Sequence, residues 1–402
     1  MPQLSTALIH HPYEAPAGFA APQHAVHKAS TVFFPNVAAM RSRDWKDKSA
    51  YTYGLHGTPT TYALEERLCT LEGGLQCVLV PSGLAALALV ALALLKSGDE
   101  VLLPDNAYGP NKALVGGELR SWGISHRYYD AMDPQDLAAK LSPATRLVWV
   151  EAAGSVTLEF PDLSTLVRIS KQHGALVALD NTWGAGIAFK PFDLPSGAPE
   201  PLAVDISAHA LTKYPSGGGD VLMGSVVTRD LALHMQIKLC HMRLGLGVGG
   251  NDAELVLRSL PSIALRYRAH DEATRALATW CQTQPQFVQV LHPALVGSPG
   301  HEFWKALCDR PDGGAACLFS VVFAPQYAQA QVDAFCDALK LFRLGYSWAG
   351  PISLVVPYEL RAMRSAWPKE IAQGTLVRFS VGLEAVADLQ ADIAQALLQL
   401  KA

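Results

Sequence analysis

Between residues 58 and 252, short apolar runs alternate with longer stretches of helical periodicity. This alternation is typical of a mostly parallel β-sheet with helices on both faces, because strands buried on both sides are continuously apolar. The most apolar stretch, residues 83–95, is too short to cross a bilayer and predicts a buried helix. The predicted strands are residues 77–80, 100–103, 126–129, 146–150, 175–179, 204–207 and 225–228.

The pattern changes on both sides of this region. Residues 1–57 are rich in Pro, His, Ala and aromatic residues without sustained periodicity, which predicts an extended arm with little core of its own. The elements predicted after the large α/β region are a helical segment at 252–282, strands at 321–323, 352–356 and 375–381, and a last helix at 388–400. We therefore predict an α/β fold in three parts: the arm (1–57), a large α/β domain (58–252) and a smaller α+β domain (253–402).

Composition narrows the function classes. The chain has 402 residues, half of them apolar, which is enough for two packed domains. A net charge of -4 gives no electrostatic footprint for nucleic acid or an anionic membrane. Seven scattered cysteines and an N-terminus without a signal-peptide pattern predict reduced thiols and a cytoplasmic protein.

Four chemically suggestive groups follow predicted strands, where ligands of open α/β sheets collect. Ser82 and Gly83 lie between a strand and a helix, so backbone amides and the helix dipole would attract a phosphate there. A plain turn with Ser82 as helix N-cap explains this segment equally well. Tyr108 follows the second strand, and its ring could stack on a flat cofactor or simply pack.

Asp180 and Lys213 together suggest bound pyridoxal 5'-phosphate. A lysine amine can hold this cofactor as a Schiff base, and a carboxylate beside the pyridine nitrogen keeps the ring protonated. Thr212 could reach the phosphate. Arg378 and Ser380 share one face of a predicted strand, where the arginine could grip a carboxylate with two hydrogen bonds. Each residue alone has an ordinary structural explanation.

Two further motifs carry no prediction of a ligand. Residues 245–250 match the dinucleotide fingerprint in letters, but they follow a helical stretch instead of a strand. His24 and His27 have a metal-like spacing but lie in a Pro- and Ala-rich segment without further clustered ligands. We therefore expect no metal.

At residues 179–183 (LDNTW) and 211–214 (LTKY), the chain resembles the Cys/Met-metabolism family of pyridoxal-phosphate enzymes, which have fold type I. Further motifs that carry the resemblance are residues 53–54, 81–83, 106–108, 151–155, 292–295, 378 and 382–384. The resemblance implies that Lys213 bears the cofactor, Asp180 pairs with the pyridine nitrogen and Tyr108 stacks on the ring. It further implies that Ser82, Gly83, Leu84 and Thr212 hold the phosphate, and that Arg378 and Ser347 hold the substrate α-carboxylate.

The segment Gly345, Tyr346, Ser347 and Trp348 resembles that of the carbon–sulfur β-lyases within this family. This implies cleavage of L-cystathionine to homocysteine, pyruvate and ammonia, as in methionine biosynthesis, with Trp348 near the substrate. Cystine or another cysteine conjugate remains an alternative substrate. Alternative functions are a γ-acting relative (methionine γ-lyase, cystathionine γ-synthase or O-acylhomoserine sulfhydrylase) and a regulator that binds the cofactor without catalysis.

The arm carries the main departure from the family pattern. Tyr53 resembles the tyrosine that completes a neighbouring subunit's active site, which implies a dimer at least and usually a tetramer. The family has an arginine two residues later, whereas this chain has Leu55. We hypothesise that His56, Arg41 or Arg43 compensates, or that the phosphate is held less tightly. Leu211 likewise replaces a phosphate-binding serine found in many relatives.

Overall fold

The computed structural model describes residues 3–13, 15, 17–19, 21–46, 48, 50–195 and 201–400. The larger of its two sheets contains the seven strands β1 (Gln76–Val80), β2 (Glu100–Pro104), β3 (Ser125–Tyr129), β4 (Thr145–Glu151), β5 (Leu176–Asp180), β6 (Ile206–Ala210) and β7 (Gly224–Thr228). Their spatial order is β1-β7-β6-β5-β4-β2-β3, and β7 alone runs antiparallel to its neighbours. The predicted mostly parallel sheet is confirmed, with β6 shifted two residues toward the C-terminus.

The smaller sheet contains β8 (Phe287–Leu291), β9 (Leu318–Phe323), β10 (Arg343–Leu344), β11 (Leu354–Tyr358) and β12 (Leu376–Ser380), in the order β10-β11-β12-β9-β8. The three predicted strands correspond to β9, β11 and β12. Strands β8 and β10 lie at the two edges of the sheet and were not predicted. Both residues of β10 are exposed, so this strand has no apolar pattern that sequence analysis could detect.

The described helices are α1 (Leu4–Ile9), α2 (Val37–Ser42), α3 (Pro59–Glu72), α4 (Gly83–Leu94), α5 (Gly109–Leu114), α6 (Pro134–Lys140), α7 (Leu163–His173), α8 (Leu231–Leu244), α9 (Gly250–Ser259), α10 (Ile263–Cys281), α11 (His301–Cys308), α12 (Gln329–Ala338), α13 (Leu360–Met363) and α14 (Val386–Ala396). Short 3₁₀ turns occupy Gly54–His56, Leu260–Ser262 and Leu397–Leu400, and Val115–Leu119 forms a π-helical turn. None of the helices in the described ranges has the length and apolar character needed to cross a membrane.

Both long segments predicted to be helical are helical in the structure, although one of them is interrupted. The apolar stretch predicted to be buried is α4, which packs between the sheet and α8. The long segment predicted at 252–282 consists of α9 and α10, which are separated by a 3₁₀ turn containing Pro261. Proline has no amide hydrogen to donate to the preceding turn, so a continuous α-helix is interrupted there.

The N-terminal arm is mostly irregular but is anchored to the large domain. Leu8 on α1 is buried in the main apolar core, so the arm packs against the large domain. Tyr53 forms an isolated bridge with Thr31. Residue 252 lies inside α9, and the division at 57 and 252 stays a prediction.

A buried polar cluster joins α3 to the strands that carry the site. Glu72, the last residue of α3, is fully buried. One of its carboxylate oxygens lies 2.9 Å from His209 Nδ1, and the other accepts hydrogen bonds from Ser207 Oγ and Asn181 Nδ2. These partners lie on β6 and directly after β5, so the cluster fixes the positions of both strand ends.

We expect the Glu72→Ala substitution to lower the free energy of unfolding by about 3 kcal/mol, because it leaves several buried polar groups without a partner. Urea denaturation measures this change. Glu66→Ala is the matched control, since Glu66 is exposed on the same helix. Equal effects of the two substitutions would contradict the structural importance of the cluster.

Candidate active site

A cavity of about 600 Å³ lies at the carboxyl ends of the parallel strands, between the two sheets. The chain reaches it from β1, β2, β4, β5 and β6 of the larger sheet and from β11 and β12 of the smaller one. Nine residues predicted from the sequence line it: Ser82, Gly83, Leu84, Tyr108, Asp180, Thr212, Lys213, Trp348 and Arg378. Separate sequence motifs therefore converge on one site.

Lys213 follows β6 and extends its amine into the cavity. Its Nζ donates a hydrogen bond of 2.9 Å to Ser347 Oγ and lies 5.4 Å from the centre of the Trp348 ring. Burial, helped by the positive charge of Arg378, lowers the pKa of Lys213 to about 8. The amine is therefore a stronger candidate base near neutral pH than an ordinary lysine.

The loop after Lys213 is held by an arginine. Arg266 on α10 donates a 2.7 Å hydrogen bond from Nη1 to the Tyr214 carbonyl oxygen. Gly217 has a φ of +66°, and a Cβ there would come within 2.2 Å of the Arg266 guanidinium. Gly217 thus permits the close approach of Arg266, which holds the loop that carries Lys213.

Asp180 ends β5 and is supported by Thr182. The Thr182 amide and hydroxyl both donate to Asp180 Oδ1, at 3.1 and 2.6 Å. None of the described hydrogen bonds uses Oδ2. Burial raises the pKa of the Asp180 carboxyl, whereas the bonds from Thr182 oppose this rise.

The turn from β1 to α4 presents hydrogen-bond donors. Ser82 is the N-cap of α4, and its Oγ accepts a 3.0 Å bond from the Ala85 amide, so its hydroxyl hydrogen can still be donated. The Gly83 and Leu84 amides donate none of the described hydrogen bonds, as expected in the first turn of a helix. A Cβ on Gly83 would lie 2.5 Å from the Ala210 Cβ, so only glycine permits this close packing against β6.

Arg378 lies on β12 and is nearly enclosed. Its guanidinium is 5.4 Å from the centre of the Tyr358 ring, and Nη2 makes long contacts of 3.4 and 3.5 Å with the carbonyl oxygens of Tyr346 and Ser347. The Nε atom is buried and has no described partner. An arginine so placed is suited to bind a carboxylate that enters the cavity.

Two predicted residues lie outside the cavity lining. Ser347 contacts the site only through Lys213 Nζ and the backbone contact to Arg378. Tyr53 is half-exposed on the arm and is not among the described residues that line its own chain's cavity. Its predicted role in a neighbouring subunit stays a prediction.

The lining residues to which sequence analysis assigned no role include the polar residues Glu151, Thr182 and Tyr358. Glu151 and Thr182 lie within motifs that carried the family resemblance, and their positions at strand ends could have marked them. Tyr358 ends β11, and nothing in the local sequence distinguishes it from a packing residue.

Comparison with known proteins defines the class. The sequence model of the Cys/Met metabolism PLP-dependent enzyme family, where PLP is pyridoxal 5'-phosphate, matches residues 5–398. The chain belongs to this family. Its architecture is fold type I, as the sequence predicted.

The chain is also similar to individual members of the family. The chain is 40% identical over 369 residues to a putative cystathionine β-lyase of Rhizobium johnstonii, covering 91% of this chain and 88% of that one. It is 37% identical over 376 residues to the cystathionine β-lyase of Bordetella avium, with coverage of 92% and 90%. The solved structure of cystathionine γ-synthase from Xanthomonas oryzae pv. oryzae superposes with a TM-score of 0.86 at 29% identity, with coverage of 100% and 99%.

The residues of the cavity fit pyridoxal phosphate. The unpaired amides of Gly83 and Leu84 suit a phosphate, and the Lys213 amine suits the aldehyde carbon. Asp180 has a carboxylate oxygen left for the ring nitrogen, and the half-exposed Tyr108 offers a ring face. These four groups come from four strand ends that surround the same cavity.

In the cofactor-free protein, we expect the Lys213 amine to react with formaldehyde and cyanoborohydride at a rate that rises with pH and is half-maximal near pH 8. The neutral amine is the reactive form, and a lowered pKa makes it available at lower pH than in an ordinary lysine, whose pKa is about 10.4. Mass spectrometry of peptides from the methylated protein measures the rate. A midpoint like that of exposed lysines would contradict the burial effect.

Proposed function

We propose that the protein is a PLP-dependent carbon–sulfur β-lyase that cleaves L-cystathionine to homocysteine, pyruvate and ammonia. The observation that carries the proposal is the placement of Lys213 Nζ beside Ser347 and Trp348, which both belong to the β-lyase-like segment. The similarity to two relatives named cystathionine β-lyase supports the same substrate. The cytoplasmic location predicted from the scattered cysteines belongs to this proposal.

Arg378 and Ser347 would bind the substrate α-carboxylate, because the guanidinium is nearly enclosed and has an unpaired Nε. Lys213 would then take the proton from the substrate Cα, since its lowered pKa leaves much of the amine neutral near pH 8. Bound pyridoxal phosphate supplies a protonated ring that accepts the electrons released at Cα. Asp180 would keep that ring protonated, and Lys213 would return its proton to the sulfur as the Cβ–S bond breaks and homocysteine leaves. Water would then hydrolyse the released three-carbon enamine to pyruvate and ammonia.

A γ-acting enzyme is the second candidate. The close superposition with a cystathionine γ-synthase structure favours it, because the two chains share the fold over nearly their whole lengths. γ-Chemistry requires a further proton transfer at Cβ. Trp348 beside the Lys213 amine supports the β-lyase instead. The γ-acting relatives typically have a serine-leucine-glycine segment at this position.

We expect the purified holoenzyme to release pyruvate and homocysteine from L-cystathionine. Chromatography of the derivatised keto acid and thiol products distinguishes the two candidates. Formation of 2-oxobutyrate and cysteine instead would overturn β-elimination and favour the γ-acting alternative. Absence of any product from sulfur amino acids, in a protein that binds the cofactor, would favour the regulator.

Two variants test whether the activity arises at this cavity. Lys213→Ala should lower turnover by about a thousandfold or more, because it removes the proposed base. Asp180→Asn keeps the shape but removes the charge and should lower turnover by about a hundredfold or more. Circular dichroism should show that both remain folded, and unchanged turnover in either would contradict its assignment.

The proposal includes a homodimer or tetramer in which Tyr53 reaches the cofactor phosphate of a neighbouring subunit. Tyr53 is half-exposed and lies on the arm, as this exchange requires. The neighbouring His56 is a poor substitute for the missing arginine, since its Nδ1 lies 2.6 Å from Thr52 Oγ1 and burial lowers its pKa. Arg43 Nη1 donates to the Tyr51 carbonyl, whereas Arg41 is exposed, as Tyr53 is. Arg41 is therefore the better candidate for compensation, and weaker phosphate binding is the alternative.

The Leu55→Arg variant should retain the cofactor longer during dialysis than the unchanged protein, because it restores a cation to the arm. Visible absorbance during dialysis measures retention, and sedimentation velocity establishes the oligomeric state. Leu55→Gln is the control for a polar side chain without charge. Equal retention by all three proteins would argue against weaker phosphate binding.

A further inference from the structure

Glu151 and Asp180 are neighbouring carboxyl groups. Glu151 ends β4, Asp180 ends β5, and the two residues are in register across the parallel strands. Paired residues of adjacent strands project to the same face of a sheet, with the strands about 4.8 Å apart. Both side chains line the cavity.

The Glu151 side chain makes a single described hydrogen bond. Its Oε2 accepts a bond of 2.9 Å from the backbone amide of Tyr108. Tyr108 is the N-cap of α5, and its side chain makes no capping hydrogen bond to that helix. Glu151 therefore fixes the backbone of the residue whose ring would stack on the cofactor.

The rest of the Tyr108 loop is also anchored. Ser365 donates from its amide and hydroxyl to the two carboxylate oxygens of Asp105, each at 2.8 Å. Asn106 donates from Nδ2 to Glu159 Oε2 at 3.1 Å. The Tyr108 carbonyl oxygen accepts bonds from the Asn111 and Lys112 amides, at 2.9 and 3.3 Å. Glu151 is the described partner of the Tyr108 amide, and so it holds the other side of this backbone.

The two carboxyls differ in what stabilises their negative charge. Two hydrogen bonds from Thr182 favour the anion of Asp180. The groups that act on Glu151 are Asp180 from β5, the Tyr108 amide and Arg364 from the segment after α13. Burial and the charge of Asp180 raise the pKa of Glu151 well above its usual value, and the Tyr108 amide and Arg364 only partly oppose this.

We propose that Glu151 is a positioning residue that holds Tyr108 through its backbone amide as a neutral carboxylic acid, leaving the negative charge of the pair on Asp180. Two adjacent carboxylates repel each other, so a single proton on Glu151 relieves the conflict. The inference rests on the cofactor position proposed above.

The test compares Glu151→Gln with Glu151→Ala in the holoenzyme. The glutamine is neutral and keeps an acceptor oxygen, so the pH midpoint of the visible absorbance should move by less than about one unit. If Glu151 were charged, its replacement would remove a full negative charge from the strand next to Asp180 and move the midpoint by about one unit or more. That result would overturn the neutral form.

Cofactor affinity tests the positioning role. Glu151→Ala leaves the Tyr108 amide unpaired and should raise the apparent Kd for pyridoxal phosphate by at least about threefold. Glu151→Gln should raise it by less than about threefold. A smaller loss in Glu151→Ala, or an equal loss in both variants, would overturn it. Fluorescence titration of the cofactor-free proteins measures both constants.

Two controls separate this inference from its premises. Glu100→Gln alters a buried carboxylate at the amino end of β2, where it pairs with Arg127, and should change neither readout. If it matched Glu151→Ala, general destabilisation would explain the effect and overturn the inference. Borohydride reduction and peptide mapping should place the cofactor on Lys213 in every variant. Another lysine would overturn the cofactor position itself, and the inference with it.

Discussion

The site depends on placing charged groups in a cavity that water reaches only partly. Burial lowers the pKa of the Lys213 amine and raises the pKa of the Asp180 carboxyl, so each group is driven toward its neutral form. Hydrogen bonds from Thr182 counteract this for Asp180. No described carboxylate hydrogen-bonds to Lys213, whose one described side-chain partner is the Ser347 hydroxyl. This asymmetry places an amine with a lowered pKa in the same cavity as a hydrogen-bonded carboxyl group.

The parallel sheet provides the frame for this arrangement. Strands β4, β5 and β6 are adjacent and end at the same edge, so Glu151, Asp180 and the segment leading to Lys213 come together without long loops. Beneath them, Glu72 joins β6 to the end of β5 through buried hydrogen bonds. Rigid support of this kind is what a site with several pre-positioned polar groups requires.

The smaller sheet supplies the part of the site that would recognise substrate. Arg378 is enclosed by Tyr358 on the neighbouring strand β11 and by the backbone of the segment after β10. That same segment carries Ser347 and Trp348 to the Lys213 amine. Under the proposed function, substrate binding and proton transfer would therefore both involve this short segment.

The sequence alone determined the seven strands of the larger sheet and the buried helix α4, and it predicted a site at Asp180 and Lys213, which line the same cavity. Apolar runs, turn residues and short motifs are local signals, so they can be recognised in the sequence without the structure. Strand β10 was missed because its two residues are exposed and form no apolar pattern, an explanation that does not apply to the largely apolar β8. The roles of the site residues and the domain boundaries stay predictions.

Only the tertiary structure decided which residues meet. Ser347 lies 134 positions from Lys213 in the chain, yet their side chains are hydrogen-bonded. Glu151 and Asp180 are neighbours because β4 pairs with β5, and Tyr358 reaches Arg378 because β11 pairs with β12. Strand order depends on how whole elements pack against one another, and no local pattern of apolar and polar residues encodes it.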